Sequence, residues 1–419
     1  MPNSLQHFRK EVDVKKLWTR DFTILTFGSI VSIFGNKLSG FAINLMVLDF
    51  SDSVFLFILY MVIFNLPKIL VPLVAGPYLD NFSRRKAIYS LDFLSSVLFI
   101  ALYFIVKSNI FNYVFFLIIS LVFGTIDSIY EVAYESLYPV LVSEGNFRKA
   151  YSVSSMIMPL SNVMIPVSTY LYEKAGVEGI FICSALTFLI AACFETQIRA
   201  DESYIRKNDN KYSFEEFKSN FREGFDYIKG EKGLLVITGY FFVSMFCGSS
   251  GGLILPYFKN TESLGVMLYS YVMGASVIGR FIGGAIQYKL DYPASKKFTI
   301  AITVYTTLCI IKGLQLYAPL VVMTIISFLV GIMGVTSYNI RISTTQSYIP
   351  DSKRARYNGA FQMLMNVGMI AGQLSAGAIA DFMPIRSVIL LFNGICFAAV
   401  FGIMWRGRES VKLIYNRSV

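Results

Sequence analysis

Three carboxylates stand inside an apolar run in the stretch DSIYEVAYESLY, residues 127–138. Asp127, Glu131 and Glu135 are spaced by four, so on an α-helix they fall within an arc of about 80° and form one stripe. Tyr130, Tyr134 and Tyr138 run alongside it. A charged carboxylate facing lipid costs roughly 2.5–3.5 kcal/mol even on lenient insertion scales, so the stripe must face protein or a wet cavity. Two chemistries suit Asp127 and Glu131: they bind a proton or a cationic group, or they form a buried ion pair that holds helices together. Glu135, nearer the end of the segment, suits pairing with basic residues of a neighbouring loop.

Partners for the stripe must come from other apolar segments. Lys37 and Arg341 are the first candidates, and Lys68, Arg280 and Lys312 are weaker ones. Tyr240 and Ser244, in GYFFVSMFCGSSGG (239–252), and Tyr338 and Asn339, beside Arg341, are positions that could shape a binding cavity. Helix packing through small residues explains the same glycines and serines equally well. Acids on one side and bases on the other suit a substrate of mixed polarity. The single histidine, His7, lies in the N-terminal tail, so an intramembrane proton carrier must be a carboxylate. The five cysteines match no metal spacing, and no phosphate-binding glycine loop or nucleophile–histidine pair is present. Neither a metal, a cofactor nor an enzyme activity is expected.

The elements that position these residues follow from hydropathy. Of 419 residues, 55% are hydrophobic and 15% charged, far more apolar than a soluble domain. Twelve segments approach the roughly 20 residues that cross a bilayer as a helix. They fall near 22–49, 54–75, 88–106, 112–138, 151–172, 178–197, 234–257, 266–288, 298–317, 319–344, 357–380 and 386–405. The expectation is an all-α membrane protein, with twelve transmembrane helices in two pseudo-symmetric six-helix bundles. Its divisions are a tail (1–21), a first bundle (22–197), a linker (198–233), a second bundle (234–405) and a C-terminal tail (406–419). A repeat supports this division. EVAYESLYPVLVSEGNFRKAYSVSSM (131–156) and IRISTTQSYIPDSKRARYNGAFQM (340–363) share a helix end, a proline, a charged loop and a new helix. In the linker, Phe214, Phe217, Phe221, Phe225 and Ile228 recur at helical spacing, which predicts an amphipathic helix on the inner membrane surface.

The net charge of +10 is dispersed among short loops rather than gathered on one face, so no nucleic-acid partner is expected. The basic residues fall in alternate connections. Both termini are therefore expected in the cytoplasm of a multi-pass cell-membrane protein, the lipid bilayer being its surroundings.

The loop GPYLDNFSRRKA carries Gly76, Asp80, Arg84, Arg85 and Lys86. It resembles the signature loop of the major facilitator superfamily, departing from it at Asn81 and Ser83. FGNKLSGFAINLMVLDFSDS (34–53), FREGFDYIKGEKGLL (221–235), ICSALTFLIAA (182–192) and TTQSYIPDSKRARYNGAF (344–361) look like stretches of its bacterial macrolide-efflux and enterobactin-exporter-like subgroup. The resemblance implies an alternating-access secondary transporter with a central cavity lined mainly by helices 1, 4, 7 and 10. It also implies that the signature-loop residues, with Asp92, gate the cytoplasmic side. The expected function is proton-coupled export of an amphipathic or cationic small molecule, by one chain that already encloses a complete pathway as a monomer. Uptake of a polar nutrient by proton symport is the alternative within transport, and a non-transporting sensor or lipid-handling protein the alternative outside it.

Overall fold

The computed structural model describes residues 16–50, 53–69, 82–108, 112–143, 163–199, 214–289 and 292–417, with scattered positions between 71 and 161. Among these residues every regular element is helical. The first half contains α1 (Arg20–Phe50), α2 (Val54–Asn65), α3 (Arg84–Lys107), α4 (Tyr113–Leu141) and α5 (Met164–Glu195). The linker helix is α6 (Phe214–Gly230). The second half contains α7 (Lys232–Gly248), which continues through a tight turn at Ser249–Leu253 into α8 (Ile254–Asn260). It is followed by α9 (Gly265–Lys289), α10 (Lys297–Leu314), α11 (Leu320–Tyr348), α12 (Asp351–Ala380), α13 (Ile385–Ala399) and the short α14 (Arg408–Tyr415).

Ten helical runs are long and apolar enough to cross a membrane, and Val54–Ile69 is a shorter apolar helix. α5 is 32 residues long and breaks at Gly176, where φ is 66°. Glycine adopts that left-handed conformation without the steric cost of a Cβ. The second arm of α5 coincides with the expected sixth span and the first arm with the end of the fifth, whose residues 151–163 lie mostly outside the described ones. Counting both arms and the short α2, the expected twelve spans are accounted for. The start of α1 meets the end of α4, and the start of α7 meets α14; this end of each bundle is called here the terminal face and the other end the far face.

Local chemistry sets the helix ends. Ser53 starts α2 by accepting from the Leu56 amide, Ser83 starts α3 by accepting from that of Lys86, and Asn112 starts α4 by accepting from that of Phe115. Pro67 follows the last turn of α2 and has no amide to continue it. Close crossings then fix the bundles. A Cβ on Gly124 of α4 would lie 2.1 Å from the Phe64 carbonyl oxygen of α2. In the second half, a Cβ on Gly331 of α11 would lie 2.2 Å from the Ser276 carbonyl oxygen of α9. Equivalent helices of the two halves thus meet backbone to backbone, which only small residues permit.

In the first bundle, α1 and α3 both pack on α5. Phe99 of α3 stacks on Phe188 of α5, with centroids 5.5 Å apart. The two bundles meet through α2 with α12 and α5 with α9. Among the described residues, the hydrogen bonds, ion pairs and ring stacks between bundles all lie toward the far face. Lys259 pairs with Asp49, which also accepts from Tyr172. Asp381 accepts from Ser53 Oγ at 3.1 Å and from the Phe55 amide at 3.3 Å. Thr169 meets Ser270, and Phe41 stacks on Tyr269 at 6.2 Å.

The linker helix α6 spans Phe214–Gly230, the stretch whose periodicity predicts it. It lies on α12 and α7 of the second bundle. Gly224 allows this approach, since a Cβ there would lie 2.3 Å from the Arg356 carbonyl oxygen, and Ile228 is buried. Glu223 pairs with Arg356, and Lys353 lies 4.7 Å over the Tyr227 ring. The side chains of Phe214, Phe217 and Phe221 lie outside the described ones.

Candidate functional site

The acidic stripe of α4 meets a lysine. Lys68 Nζ is 2.8 Å from Asp127 Oδ2 and 4.0 Å from Glu131 Oε2. Asn36 of α1 reaches Asp127 Oδ1 at 3.5 Å, and the charge of Lys37 acts on both Asp127 and Lys68 without forming an ion pair within 4 Å. Phe64 lies under the lysine, 5.9 Å from its ammonium. Lys68, just past the end of α2, faces α4. The exposed apolar residues of α4, Val114, Ile118, Leu121 and Val122, lie on another face, roughly 125° round the helix from the stripe. The cluster therefore does not belong to the face suited to lipid.

The members of the cluster are unequally committed. Lys68 and Asp127 are 29% and 25% exposed, whereas the Glu131 side chain is 59% exposed. Glu131 is the acid with room for a proton or a ligand. Glu135 is exposed and forms no ion pair among the described residues.

Arg341 does not meet the stripe. Its guanidinium sits among three rings, 5.0 Å from Phe241, 5.5 Å from Tyr338 and 4.9 Å from Phe361. Its side chain donates no hydrogen bond to a described residue, and the ring faces supply its cation–π contacts. Tyr338 is exposed beside it, and Asn339 is half-buried on the next position of α11.

Several expected residues take other places. Tyr240 is 2% exposed and stacks on Tyr305 at 4.9 Å, inside the second bundle rather than on a cavity wall. Ser244, on the same helix, faces Cys396 of α13. Tyr130 and Tyr134 stack on one another at 6.4 Å, and Tyr130 is buried against Ser29 and Glu195. Asp92 accepts from Ser32 at 3.0 Å and also faces Glu195, deep in the first bundle. Gly76 and Asp80 lie outside the described residues. Arg84 donates to the Ser136 carbonyl at 3.0 Å and Arg85 to the Ile198 carbonyl, just past the end of α5, at 2.6 Å, so these contacts stay within the first bundle. Lys86 is exposed.

Sequence reasoning missed Glu195 and the far-face group of Asp49, Lys259 and Asp381. Glu195 closes the run FLIAACFE, where an acid at a span end reads as interfacial. The one available signal was Gly28 on α1, whose missing Cβ leaves room for the Glu195 side chain.

An all-helical chain of paired bundles, joined at one face and carrying a charged cluster between helices, defines a membrane transporter of the facilitator type. The chain belongs to the Major Facilitator Superfamily, whose family model matches residues 25–373. It is 24% identical over 388 residues to an uncharacterized MFS-type transporter, YkuC, of Bacillus subtilis (strain 168), covering 90% of this chain and 89% of that one. Among solved structures it resembles the nucleoside transporter NupG (TM-score 0.69, 12% identity, 92% and 98% of the two chains). It also resembles a bacterial homologue of the iron transporter ferroportin in an inward-facing state (0.64, 15%, 94% and 98%). The Escherichia coli fucose:proton symporter shares the fold as well (0.60, 15%, 94% and 99%). The protein is a multi-pass transporter of a cell membrane.

Proposed function

We propose that the chain is a proton-coupled secondary transporter that exports an amphipathic small molecule of mixed polarity by alternating access. The observation that carries this is the sharing of one ammonium, Lys68, between Asp127 at 2.8 Å and Glu131 at 4.0 Å, with Glu131 left largely exposed. Protonation of Glu131 leaves Lys68 to Asp127 alone and changes the charge of the cluster by one. That change biases one access state over the other. Arg341 in its ring cage supplies a site for an acidic or aromatic part of the substrate, while ionised Glu131 suits a cationic part.

With the terminal face in the cytoplasm, as the dispersed basic residues favour, the contacts at the far face close the outside and the charged cluster opens inward. Asp80 and the basic cluster of the signature loop then form the gate of the opposite state. Uptake by symport is the second reading, favoured by Arg341, whose side chain donates no hydrogen bond to a described residue and which could bind an anionic group together with a proton on Glu131.

The test is thermal unfolding of the detergent-purified protein at two pH values against macrolides, siderophores, lipophilic cations, amino acids and sugars, with Glu131→Gln alongside. A ligand-dependent stabilisation that varies with pH in the wild type and loses that variation in the variant is expected. Equal stabilisation of both proteins at both pH values removes Glu131 from the mechanism.

A further inference from the structure

Asp92 of α3 and Glu195 of α5 face one another inside the first bundle, 2% and 0% exposed. Asp92 lies about 12 Å along α3 from its first residue, at 1.5 Å per residue. Asp92 meets Ser32 and Glu195 meets Gly28, one turn apart on the same face of α1, which sets the two carboxyl groups side by side. Each has one neutral donor: Ser32 Oγ to Asp92 Oδ1 at 3.0 Å, and Tyr130 Oη to Glu195 Oε1 at 3.0 Å. The remaining oxygens, Asp92 Oδ2 and Glu195 Oε2, are buried and receive no donor. The titratable groups facing the pair are Tyr130 and Tyr134 of α4, while α1 contributes Ser29, Ser32 and Gly28. Among the described residues no lysine or arginine forms an ion pair with either acid.

Two ionised carboxylates cannot share such a place. They repel at contact, water is excluded, and two neutral hydroxyls do not offset two buried charges. One proton between Oδ2 and Oε2 answers both orphan atoms, because the protonated oxygen donates and the other accepts. We propose that Asp92 and Glu195 form a proton-binding site buried in the first bundle, holding a single proton between them, separate from the Lys68–Asp127–Glu131 cluster. The space is made for it. A Cβ on Gly28 would lie 2.8 Å from Glu195 Cγ and 3.0 Å from Oε1. Tyr130, which donates to Glu195, is one turn along α4 from Asp127, so the proton state of the pair bears on the helix that carries the cavity acids.

The folded chain retains a proton that the unfolded chain, with ordinary carboxylates, has lost near neutral pH. The unfolded state then binds fewer protons, and stability falls as pH rises through the point where the pair gives its proton up. The test uses infrared spectroscopy and thermal unfolding on the full chain in detergent, in sodium chloride and in choline chloride. The wild type is expected to show a protonated-carboxyl band at neutral pH in both salts. Glu195→Gln and Asp92→Asn each replace the shared proton with a permanent amide donor, so each loses that band and flattens the alkaline fall in stability. Glu131→Gln keeps both features of the pair. A wild type without the band, or amide variants that retain it, overturns the site. A band present in choline and lost in sodium also overturns it, by assigning the pair to a metal cation. If one amide variant fails to fold, the other carries the comparison.

Discussion

Lys68→Met tests the charged cluster most sharply. The substitution keeps an apolar stem near Phe64 and removes the only cation within 4.0 Å of Asp127 and Glu131 among the described residues. At 2.8 Å, unit charges at an effective dielectric of ~20 attract by about 6 kcal/mol before desolvation is counted. Exposed pairs retain roughly 0.2–1 kcal/mol of this, and breaking a fully buried pair costs roughly 3–5 kcal/mol. With Lys68 and Asp127 29% and 25% exposed, the expected cost of Lys68→Met lies between, at about 1–3 kcal/mol. Asp127→Asn alone costs less, because Glu131 remains within reach of the ammonium. The double variant Lys68→Met/Asp127→Asn strands one acid fewer than Lys68→Met and should melt above it. The assay is a double-mutant cycle in thermal unfolding of the four purified proteins. Additivity within about 0.5 kcal/mol would show that the two side chains do not interact and refute the reasoning.

Other outcomes follow from separate parts of the fold. Gly331→Ala places a Cβ against the α9 backbone and should lower stability by about 1–3 kcal/mol, whereas Gly334→Ala, with nothing within 4 Å, should be neutral or stabilising in the same melting assay. Asp49→Ala with Asp381→Ala removes two inter-bundle clasps of the far face. In a background without the native cysteines, a cysteine at Ser270 should then react faster with a membrane-impermeant maleimide added from that side; an unchanged rate would mean that the clasps do not hold the face closed. Arg341→Lys loses the flat guanidinium that lies between rings, so an acidic ligand found in the panel should bind about tenfold more weakly, a change of ~1.4 kcal/mol, as measured by titration.

The span pattern was legible because each helix must satisfy its own backbone in lipid, which makes length and hydropathy sufficient to find it. The division into halves was legible from the repeat around Pro139 and Pro350. α12 starts at Asp351 rather than near 357, since a helix need not stop where the apolar segment does. The acids of α4 were legible as a stripe, but their partner Lys68 ranked below Lys37 and Arg341. A four-residue spacing fixes which face Asp127 and Glu131 share, yet the register of α2 against α4 decides that Lys68 meets them, and Gly124 sets that register through close approach to Phe64. Arg341 aligned with the stripe in the repeat, while the rings of Phe241 and Phe361, on two other helices, draw it into the second bundle. Asp92 and Glu195 are more than 100 residues apart in sequence, and no local period joins them.

The most direct measurement is transport by protein reconstituted in vesicles. A pH gradient of either sign is imposed, and movement of the ligand found in the stability panel is followed for the wild type and Glu131→Gln. The account predicts that the wild type moves ligand against its concentration gradient when protons flow the opposite way, and that Glu131→Gln only equilibrates it. Ligand movement that ignores the pH gradient in the wild type, or concentrative movement that survives in Glu131→Gln, would contradict it.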